Sequence, residues 1–285
     1  MLSCDTLTSI GRVGELVLDY VSNGQSTVLT NSRCRSPWHL LPPIALDDTC
    51  CVYTLLLTPS GGLVGGDRLS VHVTLGPDAH VLFSTPSANR IYRSVSKPSV
   101  QTVSLAVGPS AVLEWMPELT IPFAGSRFRQ TIHVALQRGA TVLLWDAMAS
   151  GRVAKGERWA FASLENEIRI ATVSGEYVLD RYHLYPAEQP ASVGLANDWD
   201  YVGSLYMVND MVTPKSWESL KETIAVILEE RPGSVLGGVS QPAVPGLVVR
   251  LVARSAYDLN AALEATWSAV RAHLWDNQVP ALRRY

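Results

Sequence analysis

The sequence has no excess of basic residues. Its 23 lysines and arginines stand against 26 acids, for a formal net charge of −3. That balance offers no electrostatic footprint for nucleic acid or for an anionic membrane surface, so neither is expected as a partner. Long apolar runs are also missing. The strongest, Leu247 to Ala253, is interrupted by Arg250 and falls far short of the ~20 residues a membrane-spanning helix needs. The opening residues Met1-Leu2-Ser3-Cys4-Asp5 show no positive segment followed by an apolar stretch. No signal peptide is therefore expected, and the expected location is cytoplasmic. Cysteine is scarce. There are four, at Cys4, Cys34, Cys50 and Cys51, and no C-x-x-C. The vicinal pair is poorly placed for an ordinary disulfide, so reduced thiols are expected, and the lack of paired ligand spacings argues against structural zinc.

What is present is a large apolar fraction, 47% of 285 residues, enough for a sizeable core. Up to about residue 185, alternating apolar residues and frequent glycine and proline predict many short strands. The chain also repeats itself. Val71 to Leu82, Val103 to Glu114 and Ile132 to Leu143 align as strand, tight turn and strand. Ala79, Ala111 and Ala140 open the second strand of each. A weaker fourth copy starts at Ile168 and runs through Gly175 to Leu179. Units of this kind bury their faces on one another, which predicts a mostly-β fold of stacked, β-helix-like layers, with ordinary hairpins in a sandwich as the alternative.

The last hundred residues differ. Trp217 to Arg231 and Asp258 to Trp275 have helical spacing, Val235 to Ser240 and Leu247 to Arg254 read as a hairpin, and Ser255 with Asp258 resembles a capping box. Asn197 to Pro214 lacks a clear period and reads as a loop-rich connection. The expected organisation is a β-repeat body over residues 1–190 and a smaller α+β region with two helices over 191–285, packed as one unit.

Gly61-Gly62-Leu63-Val64-Gly65-Gly66-Asp67-Arg68 is the first chemical candidate. A phosphate loop needs G-x-x-x-x-G-K-[ST]. Here Asp67 and Arg68 follow the last glycine, and a carboxylate there repels phosphate. The dinucleotide pattern is absent too. The glycines read as tight turns with positive φ. Glu114 is the second candidate, because it occupies the repeat slot of Leu82 and Leu143 and a buried carboxylate needs a partner or a role. Asp67, Glu114, Glu118 and Asp146 facing one region would offer oxygen ligands to a divalent ion. The competing reading is internal ion pairing with Arg90, Arg93, Arg127, Arg152 or Arg181. His72 and His133 share a repeat slot with Ser104 and Arg169; two such imidazoles in a ladder could bind a metal, and the competing reading, which the shared Ser104 and Arg169 favour, is a ladder on a solvated sheet face. No H-E-x-x-H or G-x-S-x-G occurs, His80 shows no paired spacing, and no cysteine has an evident histidine partner. An enzyme is not expected.

Three segments carry a resemblance: Pro59 to Leu69, Thr85 to Ser94 and Leu113 to Phe123 are similar to the urease accessory protein UreD (UreH) family. Asp146 to Gly156, with Gly151-Arg152 and Gly156-Glu157, extends it, as do Gly11 to Thr30 and Pro280 to Tyr285. It is loose from Ala187 to Val244. Glu118 departs from the family's usual Gln, and Asn89 from its Lys or Thr. The resemblance implies a mainly β fold with helices toward the C-terminus and a non-enzymatic maturation factor. Such a factor binds apo-urease and UreF, and through UreF the GTPase UreG. It has no permanently bound cofactor and passes nickel(II) transiently through an internal passage. Asp67, Glu114 and Asp146, with Glu118 and Glu157, are then the expected nickel-path residues. The alternative implied function is a purely structural module that recruits UreF and alters urease without handling metal.

Overall fold

The computed structural model describes residues 11–45, 49–187 and 199–280. In chain order its first strands are β1 (Val13–Ser22), β2 (Thr27–Arg35), β3 (His39–Leu40), β4 (Ile44–Ala45), β5 (Cys51–Leu57) and β6 (Arg68–Leu75). Next come β7 (His80–Ser84), β8 (Asn89–Ile91), β9 (Ser99–Val107), β10 (Val112–Met116), β11 (Thr120–Pro122) and β12 (Arg127–Leu136). The remainder are β13 (Thr141–Ala149), β14 (Ser163–Ala171), β15 (Tyr177–Leu184), β16 (Tyr201–Val208), helix α1 (Pro214–Glu229), β17 (Val235–Ser240), β18 (Gly246–Ala253) and helix α2 (Ala256–Trp275).

The three strong repeats are coils of a β-solenoid. β6, β9 and β12 lie parallel in one sheet, and β7, β10 and β13 lie parallel in a second. Each coil turns from the first sheet to the second through a corner. Asp78, Ser110 and Gly139 occupy equivalent corner positions with φ of 57°, 56° and 71°. The corners are stitched together: Asp78 N donates to Pro109 O at 3.0 Å and Ser110 N to Arg138 O at 3.1 Å. Ala79, Ala111 and Ala140 are fully buried just past the corner.

The fourth copy does not make a coil. After β14 the chain reverses into β15, which pairs antiparallel with β14 in the same sheet. Glu176 falls in the slot that Ala79, Ala111 and Ala140 fill, and a carboxylate cannot enter that buried corner without a partner. The loop-rich reading of Asn197 to Pro214 also fails in part, because β16 is a largely buried strand between β13 and β18. It faces a core on both sides, so its sequence shows no alternation. Parallel strands thus form the middle of both sheets, and antiparallel pairs close the ends.

Two apolar cores result. One lies between the sheets and includes Leu16, Val71, Phe83, Val103, Trp115, Ile132, Leu144 and Ile168. The other lies between the outer face of the second sheet and the two helices, and includes Leu82, Trp145, Trp217, Ile224, Leu263 and Trp267. Thr213 caps α1 through Ser216 N at 3.2 Å, with Pro214 at the first position. Ser255 caps α2, its hydroxyl accepting from Asp258 N at 3.1 Å and donating to Asp258 Oδ2 at 2.6 Å. The second sheet therefore has a core on each face, and successive residues of β10 and β13 point into different ones.

Candidate functional site

One register row on the inner face of the first sheet is polar. Gln101, Gln130, Asn166 and Tyr182 stand side by side on β9, β12, β14 and β15. The next row, Val71, Val103, Ile132 and Ile168, is apolar. Asp146 faces the polar row from β13. Its Oδ1 accepts from Gln130 Nε2 at 2.9 Å, and its Oδ2 accepts from Asn166 Nδ2 at 2.8 Å and Tyr182 OH at 3.3 Å. Gln130 also donates to Asn166 Oδ1 at 3.0 Å, and Asn89 Nδ2 lies 3.4 Å from Gln101 Oε1. Burial pushes the Asp146 carboxyl above its ordinary range. The bonds from Gln130, Tyr182 and Asn166 oppose that rise, and the charge of Asp180 adds to it.

This seam adjoins open space. A cleft of about 80 Å³ is lined at its exposed end by Gly61, Ser87 and Arg90 and at its buried end by Gln130, with Glu118, Thr120 and Asp146 also in its wall. A second void of about 10 Å³ shares Thr120, Gln130 and Asp146 and reaches Asn166 and Tyr182. That is roughly the space of one water. Carboxylate, amide and hydroxyl oxygens therefore surround water-sized space between the sheets.

Glu114 belongs to a different site. It stands in register with Leu82 and Leu143, as the repeat alignment predicts, but on the outer face of the second sheet, away from Asp146. It is 0% exposed. Trp267 Nε1 donates to its Oε2 at 2.5 Å, Arg271 Nη1 to its Oε1 at 3.2 Å, and His80 Nε2 lies 2.7 Å from Oε1. Trp267 and Arg271 come from α2, so this carboxylate ties the helix to the sheet. Burial works against a charge on His80, but contacts with Cys50, Cys51 and Glu114 outweigh it and raise the imidazole well above its usual value. Burial also pushes the Cys51 thiol up, opposed by His80.

The remaining predicted residues do not converge with these. Asp67, 3% exposed, accepts from Arg12 N at 2.8 Å and Val64 N at 2.9 Å. Both oxygens thus fasten backbone: one pins the glycine loop to itself, the other pins it to Arg12, the residue just before β1. Gly61, Gly62 and Gly66 have φ of 74°, 152° and 94°, which agrees with the turn reading. A Cβ on Gly62 would lie 2.4 Å from Arg90 O. Glu157 pairs with Arg152 and accepts from Ala124 N at 3.2 Å. Glu118 lines the cleft, and its backbone N donates to Thr85 Oγ1 at 2.9 Å. The five acids therefore do not face one region. His72, Ser104, His133 and Arg169 do form the predicted ladder, with His72, His133 and Arg169 exposed on the outer face of the first sheet.

Of the arginines named as ion-pair partners, Arg152 pairs with the predicted acid Glu157. Arg181 pairs instead with Glu167. The sequence reading missed Arg271 and Trp267, which lie 157 and 153 residues beyond Glu114. It also missed the partnership of Cys51 with His80, which sit in register on β5 and β7. The usable signal was a polar side chain at the start of a buried strand: His80 begins β7, every residue of which is buried.

These features define a β-solenoid scaffold with polar groups enclosed between its sheets; no described helix is long and apolar enough to cross a membrane. A family model described as UreD urease accessory protein matches residues 12–284. The chain is 34% identical over 244 residues to the urease accessory protein UreD of Anaeromyxobacter sp. (strain Fw109-5), covering 86% of this chain and 81% of that protein. It is 32% identical over 270 residues to that of Delftia acidovorans, covering 90% and 88%. Against that of Cupriavidus necator it is 29% identical over 258 residues, covering 90% and 88%. The chain belongs to the UreD urease accessory protein family, and that membership supports a role in urease maturation.

Proposed function

We propose that this chain is a cytoplasmic nickel-insertion chaperone that passes nickel(II) to urease between its two sheets. It binds apo-urease and UreF, and through UreF the GTPase UreG. The ion is cargo, and the chain performs no catalysis on it. The observation that carries this reading is the polar seam, where Asp146, Gln130, Asn166 and Tyr182 meet next to a cleft that reaches the surface. An ion crossing the protein needs several weak sites, so that it can leave each one. Amide oxygens and a carboxylate already engaged by three donors bind nickel less tightly than a dedicated cage of free carboxylates or imidazoles. In this reading Asp146 and Glu118 touch the ion. Asp67, Glu114 and Glu157 serve the path by holding its walls, through the glycine loop, α2 and the Ala124 turn respectively.

A second reading is favoured by those last three acids. Because the chain itself satisfies them, they fit a purely structural module that recruits UreF and alters urease. Asp146→Asn separates the two, since it keeps shape and removes charge. The passage reading expects lower nickel-dependent activation of apo-urease with UreF, UreG and GTP, while copurification with UreF and apo-urease stays intact. Full activation by Asp146→Asn would sink the passage and leave the structural module.

A further inference from the structure

The strand register also brings together a second group, on the outer face of the second sheet. Cys51 on β5 is in register with His80 on β7, and Glu114 lies diagonally across on β10. One ligand atom from each of Cys51, His80 and Glu114 lies within 4.8 Å of the others, and all three residues are buried. Cys50, half-buried, also contacts the His80 ring. The vicinal thiols are unbridged.

We infer that Cys50, Cys51 and His80 form a thiolate–imidazole site for a zinc-class cation, with Glu114 holding the imidazole in place. The roles follow from the contacts. Both Glu114 oxygens are occupied, by His80 and Arg271 on one and Trp267 on the other. With His80 Nε2 turned to Glu114, Nδ1 is the nitrogen left for an ion. A carboxylate behind a ligating histidine is the usual way such a ring is oriented and made more basic. Two thiolates and one imidazole are the donor set that zinc favours, with a water completing a tetrahedron. The charges also close. Arg271 balances Glu114, and two thiolates balance a divalent ion, so the buried site is neutral when filled. Binding releases one proton from each thiol and the Nδ1 proton of a charged His80. The half-buried Cys50 supplies the side from which the ion enters. Trp275, with ring centroid 5.5 Å from that of His80, covers another side. Spacing along the chain does not reveal this site, because its ligands meet through strand pairing. The site lies on the opposite face of the second sheet from Asp146 and stands or falls separately from nickel passage.

The test uses the full chain, stripped of metal and reduced. Added zinc is expected to slow alkylation of Cys50 at least about tenfold while exposed Cys34 reacts at an unchanged rate, both read by peptide mass spectrometry. Cobalt(II) in place of zinc is expected to give thiolate charge-transfer absorption and the d–d bands of a tetrahedral ion. That absorption should weaken in Cys50→Ser and be lost in Cys51→Ser. Unchanged Cys50 alkylation in the wild-type chain overturns the site even if a variant fails to fold. So does charge-transfer absorption that persists undiminished in both serine variants.

Discussion

Glu114→Leu is the most informative single change, because the repeat itself shows that leucine fits the slot. Leu82 and Leu143 flank Glu114 in register and are themselves fully buried. Shape is therefore not at issue, and the substitution isolates the charge. It takes a buried carboxylate away from Arg271, His80 and Trp267. Removing one member of a buried ion pair costs about 3–5 kcal/mol, because the opposite charge stays in the low-dielectric interior. The added apolar surface of leucine offsets part of this, by about 2 kcal/mol at most. The Trp267 N–H also loses its acceptor, a loss of about 1–3 kcal/mol. A net loss of about 2–6 kcal/mol is expected, a large share of a typical ~5–15 kcal/mol. At about 2 °C per kcal/mol for a chain of this size, the midpoint should fall by roughly 4–12 °C. Urea unfolding followed by tryptophan emission reads it directly, since Trp267 is in the cluster. Glu114→Leu combined with Arg271→Met should regain most of the loss, because replacing the whole pair with apolar groups is often neutral. A Glu114→Leu protein as stable as wild type would refute the idea that this carboxylate is what holds α2 to the sheet.

Further expectations follow from the same contacts. Asp67→Ala removes the acceptors of two backbone amides and should destabilise by roughly 3 kcal/mol, with Asp67→Asn milder; chemical unfolding and proteolysis within residues 61–66 would check both. Gly62→Ala places a Cβ 2.4 Å from Arg90 O at a φ of 152°, so a loss of at least about 1–3 kcal/mol is expected in thermal melts. His80 has a folded pKa above its ordinary 6.5, so its charge stabilises the fold fully below pH 6.5 and ceases to do so as pH rises through the higher folded value. In metal-free protein, the stability gap between wild type and His80→Gln should accordingly shrink from pH 6.5 upward; a gap that widens would reverse the assignment. Glu176→Ala should leave the β14–β15 hairpin intact and stability nearly unchanged, because the surrounding antiparallel ladder, not this residue alone, now fixes the turn.

The sequence made local geometry legible wherever it repeated. Aligning three segments was enough to place Asp78, Ser110 and Gly139 at one kind of corner, and His72, Ser104 and His133 in one row. That works because a solenoid converts sequence period into spatial register, so equal positions in successive coils become neighbours. The same logic marked Glu114 as anomalous. It also separates Glu114 from Asp146, since Glu114 takes the slot of Leu143 and Asp146 lies three positions further along that strand, on the opposite face; what the apolar run of a sheet with a core on each side conceals is which of the two faces meets the helices. β16 was hidden for the same reason: Leu205, Tyr206, Met207 and Val208 are all fully buried, and no polar residue marks an outside. The partners of Glu114 were hidden for a different one. Arg271 and Trp267 are four apart on α2 and look like ordinary members of one helical face until tertiary packing sets that face over β10. Aligned acids in a repeat thus point to places where the core must be interrupted. Whether an interruption opens a path or ties two elements together depends on what packs above it. Asp146 has a cleft beside it and Glu114 has a helix, and that difference separates an acid that borders open space from one that ties two elements together.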